Sequence, residues 1–228
     1  MSILRQSFLD HLKQIERRNW EGKIFYLPSN VKVWMNSKLS GQPYSNIVRL
    51  IASLYDGIPR IRAEQCTKHQ LVLAALLHPD VDCGHMIDLF VRIGISDDQL
   101  LLADQSIASF YDSIVEDFEK EPRSLPNIFP AHDYTAFIQS FDRIRWSFCP
   151  VSLELYMNTT FHCGSLILPF LHGDPINTKG GTANVRHYKI ECDVVESEAL
   201  KGALASSVHE DSLFGPVSIQ ILHFKFLL

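Results

Sequence analysis

The pair Gly180-Gly181, set in INTKGGTANVRHYKI (residues 176–190), is the stretch of this chain best suited to hold a ligand. Glycine has no Cβ, so a glycine pair lets the backbone lie close over an anion such as a phosphate. The same pair between polar residues also suits a plain turn, and the dipeptide alone does not choose between them. A second concentration of reactive residue types is His78-Pro79-Asp80-Val81-Asp82-Cys83-Gly84-His85. Imidazole, thiolate and carboxylate together suit a borderline-soft ion such as zinc. The spacing matches no established metal pattern, however, and loops between helices collect Pro, Asp and Gly as breakers and caps. The segment therefore reads as a loop, and no metal is expected. His162 and Cys163 are adjacent in sequence, whereas a catalytic nucleophile and its base meet in space. No GxSxG signature is present, and no catalytic residue is assigned.

The remaining composition narrows the classes of function. The chain has 228 residues, 46% of them hydrophobic and 21% charged, enough to bury a core. A formal net charge of −5, with lysines and arginines scattered, leaves no basic footprint for nucleic acid. Trp20, Trp34 and Trp146 accordingly read as core anchors rather than base-stacking platforms. Five cysteines form no CxxC pair, and an odd count leaves one over in any disulfide framework. Reduced thiols in an intracellular protein, cytoplasmic or nuclear, fit better. The N-terminal segment MSILRQSFLDHLKQIERR is charged and amphipathic, unlike a secretory signal. The longest apolar run, Leu71 to Leu77, is too short to span a bilayer, so a soluble protein without a membrane partner is expected.

Hydrophobic spacing predicts the elements that must carry these residues. Leu4, Phe8, Leu12 and Ile15 define an amphipathic first helix capped by Ser2. Further helices are expected over Ser45 to Leu54, Gln65 to Leu77 and His85 to Ile93, the last ended by Gly94 in a left-handed cap. Two more are expected over Asp104 to Lys120 and around Tyr134 to Ile144. None of these segments alternates with period two, so the first 150 or so residues read as all-helical. From about Leu166 the glycines rise and β-branched residues appear, among them Ile176, Val185, Ile190, Val194 and Val195, with a turn signal at His172 to Pro175. The expected fold is a mainly α domain over 1–165 followed by a small α+β fragment over 166–228.

The order of several motifs adds a resemblance. FDRIRWSF (Phe141 to Phe148), ILPF (Ile167 to Phe170), the glycine segment with Val185, and the upstream LVLAALLHPDVDCGHMIDLFVRIGISDDQLLL (Leu71 to Leu102) follow one another. That succession resembles filamentous-fungal protein-kinase-like proteins, in which a helical N-terminal region leads through a Trp-containing segment and an LPF motif into a GGFGxV-type loop. It implies that residues 166–228 correspond to part of a protein-kinase N-lobe. Gly180 and Gly181 would then lie over the ATP phosphates, Val185 beneath the adenine, and Lys201 would stand on the third strand, gripping the α- and β-phosphates.

The same alignment marks departures. The first and third loop glycines fall on Thr178 and Ala183, and the phenylalanine of the loop tip on Thr182. The glutamate that should pair with Lys201 falls on Val217, just after Gly215-Pro216. No HRD-type catalytic loop and no DFG follow the lysine, and Asp117-Phe118-Glu119 lies upstream of the glycine segment. The resemblance thus implies a truncated, catalytically incompetent kinase-like protein with a degenerate ATP site. No cofactor is expected, with ATP bound weakly at most, and the role is binding or regulation through a protein partner. That partner would dock on the helical region or on an exposed apolar segment, Ile219 to Leu228. Two other readings stay open: the N-terminal part of a serine/threonine kinase whose C-lobe lies outside this reading frame, and a stand-alone helical adaptor.

Overall fold

The computed structural model describes residues 3–55, 61–100, 133–153, 166–175 and 186–206. Among these the chain is mainly helical, with two small antiparallel strand pairs. It divides into two compact units, one made of Met1–Ile15 with Pro28–Cys149 and the other of Glu16–Leu27 with Pro150–Leu228. The expected boundary, soft between residues 150 and 166, includes Pro150, where the later segment of the second unit begins; that unit also takes Glu16–Leu27 from near the N-terminus.

The helical unit is built around its most apolar segment. Helix α1 (Ile3–Ile15) buries Phe8, Leu9 and Leu12, one stripe at helical spacing. Helix α2 (Pro28–Asn36) places proline in its first turn, where the missing N–H costs nothing, and buries Val31 and Met35 one turn apart. Helix α3 (Asn46–Leu54) is strongly amphipathic and buries Ile47, Leu50 and Ile51. The single helix expected over Gln65 to Leu77 is two, α4 (Ala63–Cys66) and α5 (Gln70–Leu77). All eight residues of α5 are buried. It packs against α2, against α6 (Ile87–Arg92) and against α7 (Asp133–Phe148). A helix covered on every side has no polar face to show, so its sequence is apolar throughout. Phe137, Phe141, Ile144 and Phe148 form the buried stripe of α7, and the rings of Phe90 and Phe141 meet edge to face at 4.8 Å.

Two turns set the path at either end of α6. Gly94 has φ of +78° and closes the helix as expected, with Ile95 N–H donating to Phe90 O at 2.9 Å and Gly94 N–H to Val91 O at 3.2 Å. Before the helix, Gly84 opens a 3₁₀ turn (Gly84–Met86) pressed on α3 and α5, where a Cβ would stand 2.5 Å from Leu77 Cδ2 and 3.2 Å from Leu54 Cδ2. The helix expected from His85 thus begins as a tighter turn.

The second unit starts from a ribbon that the all-helical expectation misses. Strands β1 (Arg17–Arg18) and β2 (Ile24–Phe25) pair antiparallel, Arg17 opposite Phe25. Asn19 organises their turn: its Oδ1 accepts the N–H groups of Glu21 and Lys23 at 3.0 and 2.9 Å, and Gly22 takes φ of +80°. Asn19 Nδ2 donates to Leu168 O, and Trp20 N–H to Phe170 O, so the ribbon is stitched to the LPF segment. Arg17 Nε lies 3.2 Å from Glu191. Strands β3 (Phe170–Pro175) and β4 (Arg186–Ile190) pair antiparallel, Phe170 opposite Ile190 and Pro175 opposite Arg186, with an irregularity between Phe170 and His172. A 3₁₀ turn (Cys192–Val194) and helix α8 (Glu198–Ser206) follow, and Leu153 bridges Val195 in parallel. Phe25, Val151, Leu153, Ile167, Phe170, Ile190, Val194 and Leu200 are buried.

Candidate functional site

Of the four residues implied for a nucleotide site, Lys201 is the one that can be placed. Gly180, Gly181 and Val185 lie outside the described residues, as do Val217, Asp117-Phe118-Glu119, His162-Cys163, the helix expected over Asp104 to Lys120 and the segment Ile219 to Leu228. Residues 176–185 connect β3 to β4, two strands that pair antiparallel. Lys201 stands on α8, a helix, where the resemblance implies a strand. The local sequence explains this. EALKGALAS is rich in Glu, Ala, Leu and Lys, which favour helix, and contains no β-branched residue. Ser197 caps the start, its Oγ accepting Leu200 N–H at 3.2 Å while its carbonyl accepts Lys201 N–H at 2.9 Å. Lys201 Nζ lies 2.6 Å from Glu198 Oε1, an i,i+3 pair whose partners are 41% and 84% exposed. The ammonium is thus engaged on its own helix surface.

The ligand-type residues of the His78–His85 segment are occupied by structure. Asp82, at φ of +49°, is paired with Arg5 of α1, and Asp80 lies 3.5 Å from Arg143 of α7. His78 Nδ1 accepts Asp80 N–H, and its ring meets Phe148 edge-on. Cys83 Sγ donates to Val81 O, and burial, reinforced by Asp82, pushes its thiol up to about 11. Burial also lowers the affinity of His85 for a proton. The loop ties α1 and α7 to the end of α5. Among the described residues, no group of three or more His, Cys, Asp or Glu could hold a metal ion. Trp146 is buried as expected of a core anchor, Trp34 is partly covered, and Trp20 is 40% exposed, against expectation.

The helical unit carries an open groove of about 700 Å³ along α1 and α2, lined by Ile3, Gln6, Ser7, Asp10, His11, Gln14 and Trp34. Trp34 sits 5.0 Å from the Phe8 ring and 6.0 Å from His11, so an aromatic wall faces amide and carboxylate groups. Helical periodicity locates the buried stripe of α1; its polar stripe becomes a groove wall only once α2 is in place.

A feature the sequence does not announce lies at the start of α5. Asp97, only 6% exposed, sits in a 3₁₀ turn (Asp97–Gln99) boxed by Ser96 and Gln99. Its Oδ1 accepts the N–H groups of Leu71 and Val72 at 2.8 and 3.2 Å, and its own N–H donates to Lys68 O at 2.8 Å. The turn thereby uses the backbone groups that a continuous helix through Thr67–His69 would need, which is why α4 and α5 separate.

No protein-family model, no curated protein and no solved structure matches the chain. Among the described residues no helix is long and apolar enough to cross a membrane.

Proposed function

We propose that these residues form a kinase-like binding protein without phosphoryl-transfer chemistry of its own. The helical unit serves as a binding or regulatory module, and the second unit carries a degenerate remnant of a nucleotide-covering loop. One observation carries the reading: Lys201, the residue on which phosphate binding would turn, lies on a helix and is engaged by Glu198 one turn away. A kinase lysine must project from a strand toward the phosphates with its counter-ion on a separate helix. The glycine segment supports the kinase-like part, because it joins two antiparallel strands, the connectivity a phosphate-covering loop needs. The α1–α2 groove, with Trp34, His11 and Asp10, is the surface on which a protein partner would dock. Buried thiols at Cys66, Cys83 and Cys149 suit a reducing compartment, the cytoplasm or nucleus.

Incubation with γ-labelled ATP, Mg²⁺ and generic protein substrates tests this. No transfer above a no-enzyme blank is expected, and transfer lost in Lys201→Ala would overturn it. A second reading, the N-terminal part of a serine/threonine kinase, draws on the same β3–β4 connection. Transcript sequencing that places a catalytic loop and a metal-binding aspartate in frame would favour it.

A further inference from the structure

We propose, on the reading of the helical unit as a binding module, that its α1–α2 groove takes an arginine side chain of a partner polypeptide. The guanidinium lies along the Trp34 indole and donates hydrogen bonds to Asp10 Oδ2.

Charge sets the sign of the occupant. Among the residues lining the groove, Asp10 alone carries a fixed charge. Its contacts fall on one oxygen: Gln6 Nε2 donates to Oδ1 at 2.9 Å, and Lys13 Nζ lies 3.8 Å from the same atom. Oδ2 has no partner among the described residues and stays open to a donor from outside. Gln6 turns its amide nitrogen to Asp10, which leaves Oε1 as a further acceptor. Gln6, Asp10 and Gln14 follow one another at i, i+4 and i+8, a line of oxygen-bearing side chains along α1. A cation with several donors matches that line.

The aromatic wall chooses between the two cationic side chains. Trp34 lines the groove and is only partly covered, and the His11 ring beside it is nearly parallel, 21° between the planes. A flat, weakly hydrated guanidinium stacks along such a wall and still donates in its own plane, whereas a lysine ammonium is compact and holds its water. Ile3, 91% exposed in the same groove, offers apolar surface to the methylene stem. At about 700 Å³ the groove is open and larger than one side chain, so the residues flanking the arginine fill the remainder. A net charge of −5 favours a basic polypeptide over a nucleic acid as the partner.

The test is a titration of the full chain with capped peptides Leu-Gly-X-Gly-Leu, in which X is arginine, lysine or citrulline. Citrulline keeps the flat shape of arginine without its charge. The readout is the ¹⁵N–¹H signal of the Trp34 indole, identified by its loss in Trp34→Phe. A saturable shift in the millimolar range is expected with the arginine peptide, and clearly weaker binding of the other two. Asp10→Asn, an isosteric change at an exposed site, should weaken the arginine peptide about 3- to 5-fold. Lys13→Gln removes the cation beside Oδ1 and should tighten it, and added salt should weaken it. A Trp34 signal that does not move, equal affinity for the arginine and citrulline peptides, or Asp10→Asn binding as wild type does would overturn the arginine site. The peptide comparison uses wild type alone, so it decides even if a variant does not fold. The two readings fail separately: a silent Trp34 signal leaves the proposal of no phosphoryl transfer standing, and transfer lost in Lys201→Ala would overturn that proposal with the arginine response intact.

Discussion

Gly84 tolerates less added volume than Gly22, Gly41, Gly94 or Gly202. Its would-be Cβ meets branched carbons of Leu77 and Leu54, both on packed helices, so one of them must shift. Gly84→Ala is expected to lose about 1–3 kcal/mol in urea unfolding, and an unchanged midpoint would show that the 3₁₀ turn has room. Nothing in the sequence around Gly84 signals this, because the requirement comes from how α3, distant in the chain, and the end of α5 close on the turn. Gly94 is different. It follows an apolar helix stripe, and that local context alone identifies it as a left-handed cap. The cysteines make a second check at this scale. Burial pushes the Cys149 thiol up to about 12, with Asp97 adding to it and Arg145 and Lys32 opposing, and Cys83 to about 11. At pH 8 neither is a thiolate, and both are covered. Iodoacetamide at that pH should leave both unmodified in folded protein and alkylate both in urea, as read by peptide mass mapping. Labelling before unfolding would contradict the packing around them.

Helices with one buried stripe are legible in the sequence, and those covered on all sides or marked by two residues are not. α1, α3 and α7 carry enough apolar residues at helical spacing to be read directly. The stripe of α2 is Val31 and Met35 alone, and it goes unread. The apolar run of α5 fixes no start, because its N-terminus is set by Asp97, 26 residues beyond Leu71. Strands β1 and β2, two residues each, are too short for a period-two pattern, and the side chain of Asn19 does more to form that ribbon than any strand propensity. α7 also makes the strongest prediction among the elements. Phe141 is 1% exposed and packs on Phe90 and Phe137, so Phe141→Ala should cost about 3–5 kcal/mol in equilibrium unfolding. A loss under about 1 kcal/mol would mean that α7 does not close this core.

At the scale of the whole molecule, composition separates helical from glycine-rich sequence but cannot see that Glu16–Leu27 folds with the C-terminal unit, since that association rests on a backbone bond from Trp20 to Phe170 and a side-chain bond from Asn19 Nδ2 to Leu168 O. The helix around Lys201 was written in EALKGALAS; the order of the kinase-like motifs pointed to a strand, and local propensity prevailed. In the proposed function Lys201, engaged by Glu198 on its own helix, grips no phosphate. The most direct test is the thermal shift produced by Mg-ATP on wild type and on Lys201→Ala. The same small or zero shift is expected in both, and a robust wild-type shift that disappears in Lys201→Ala would overturn the proposed function.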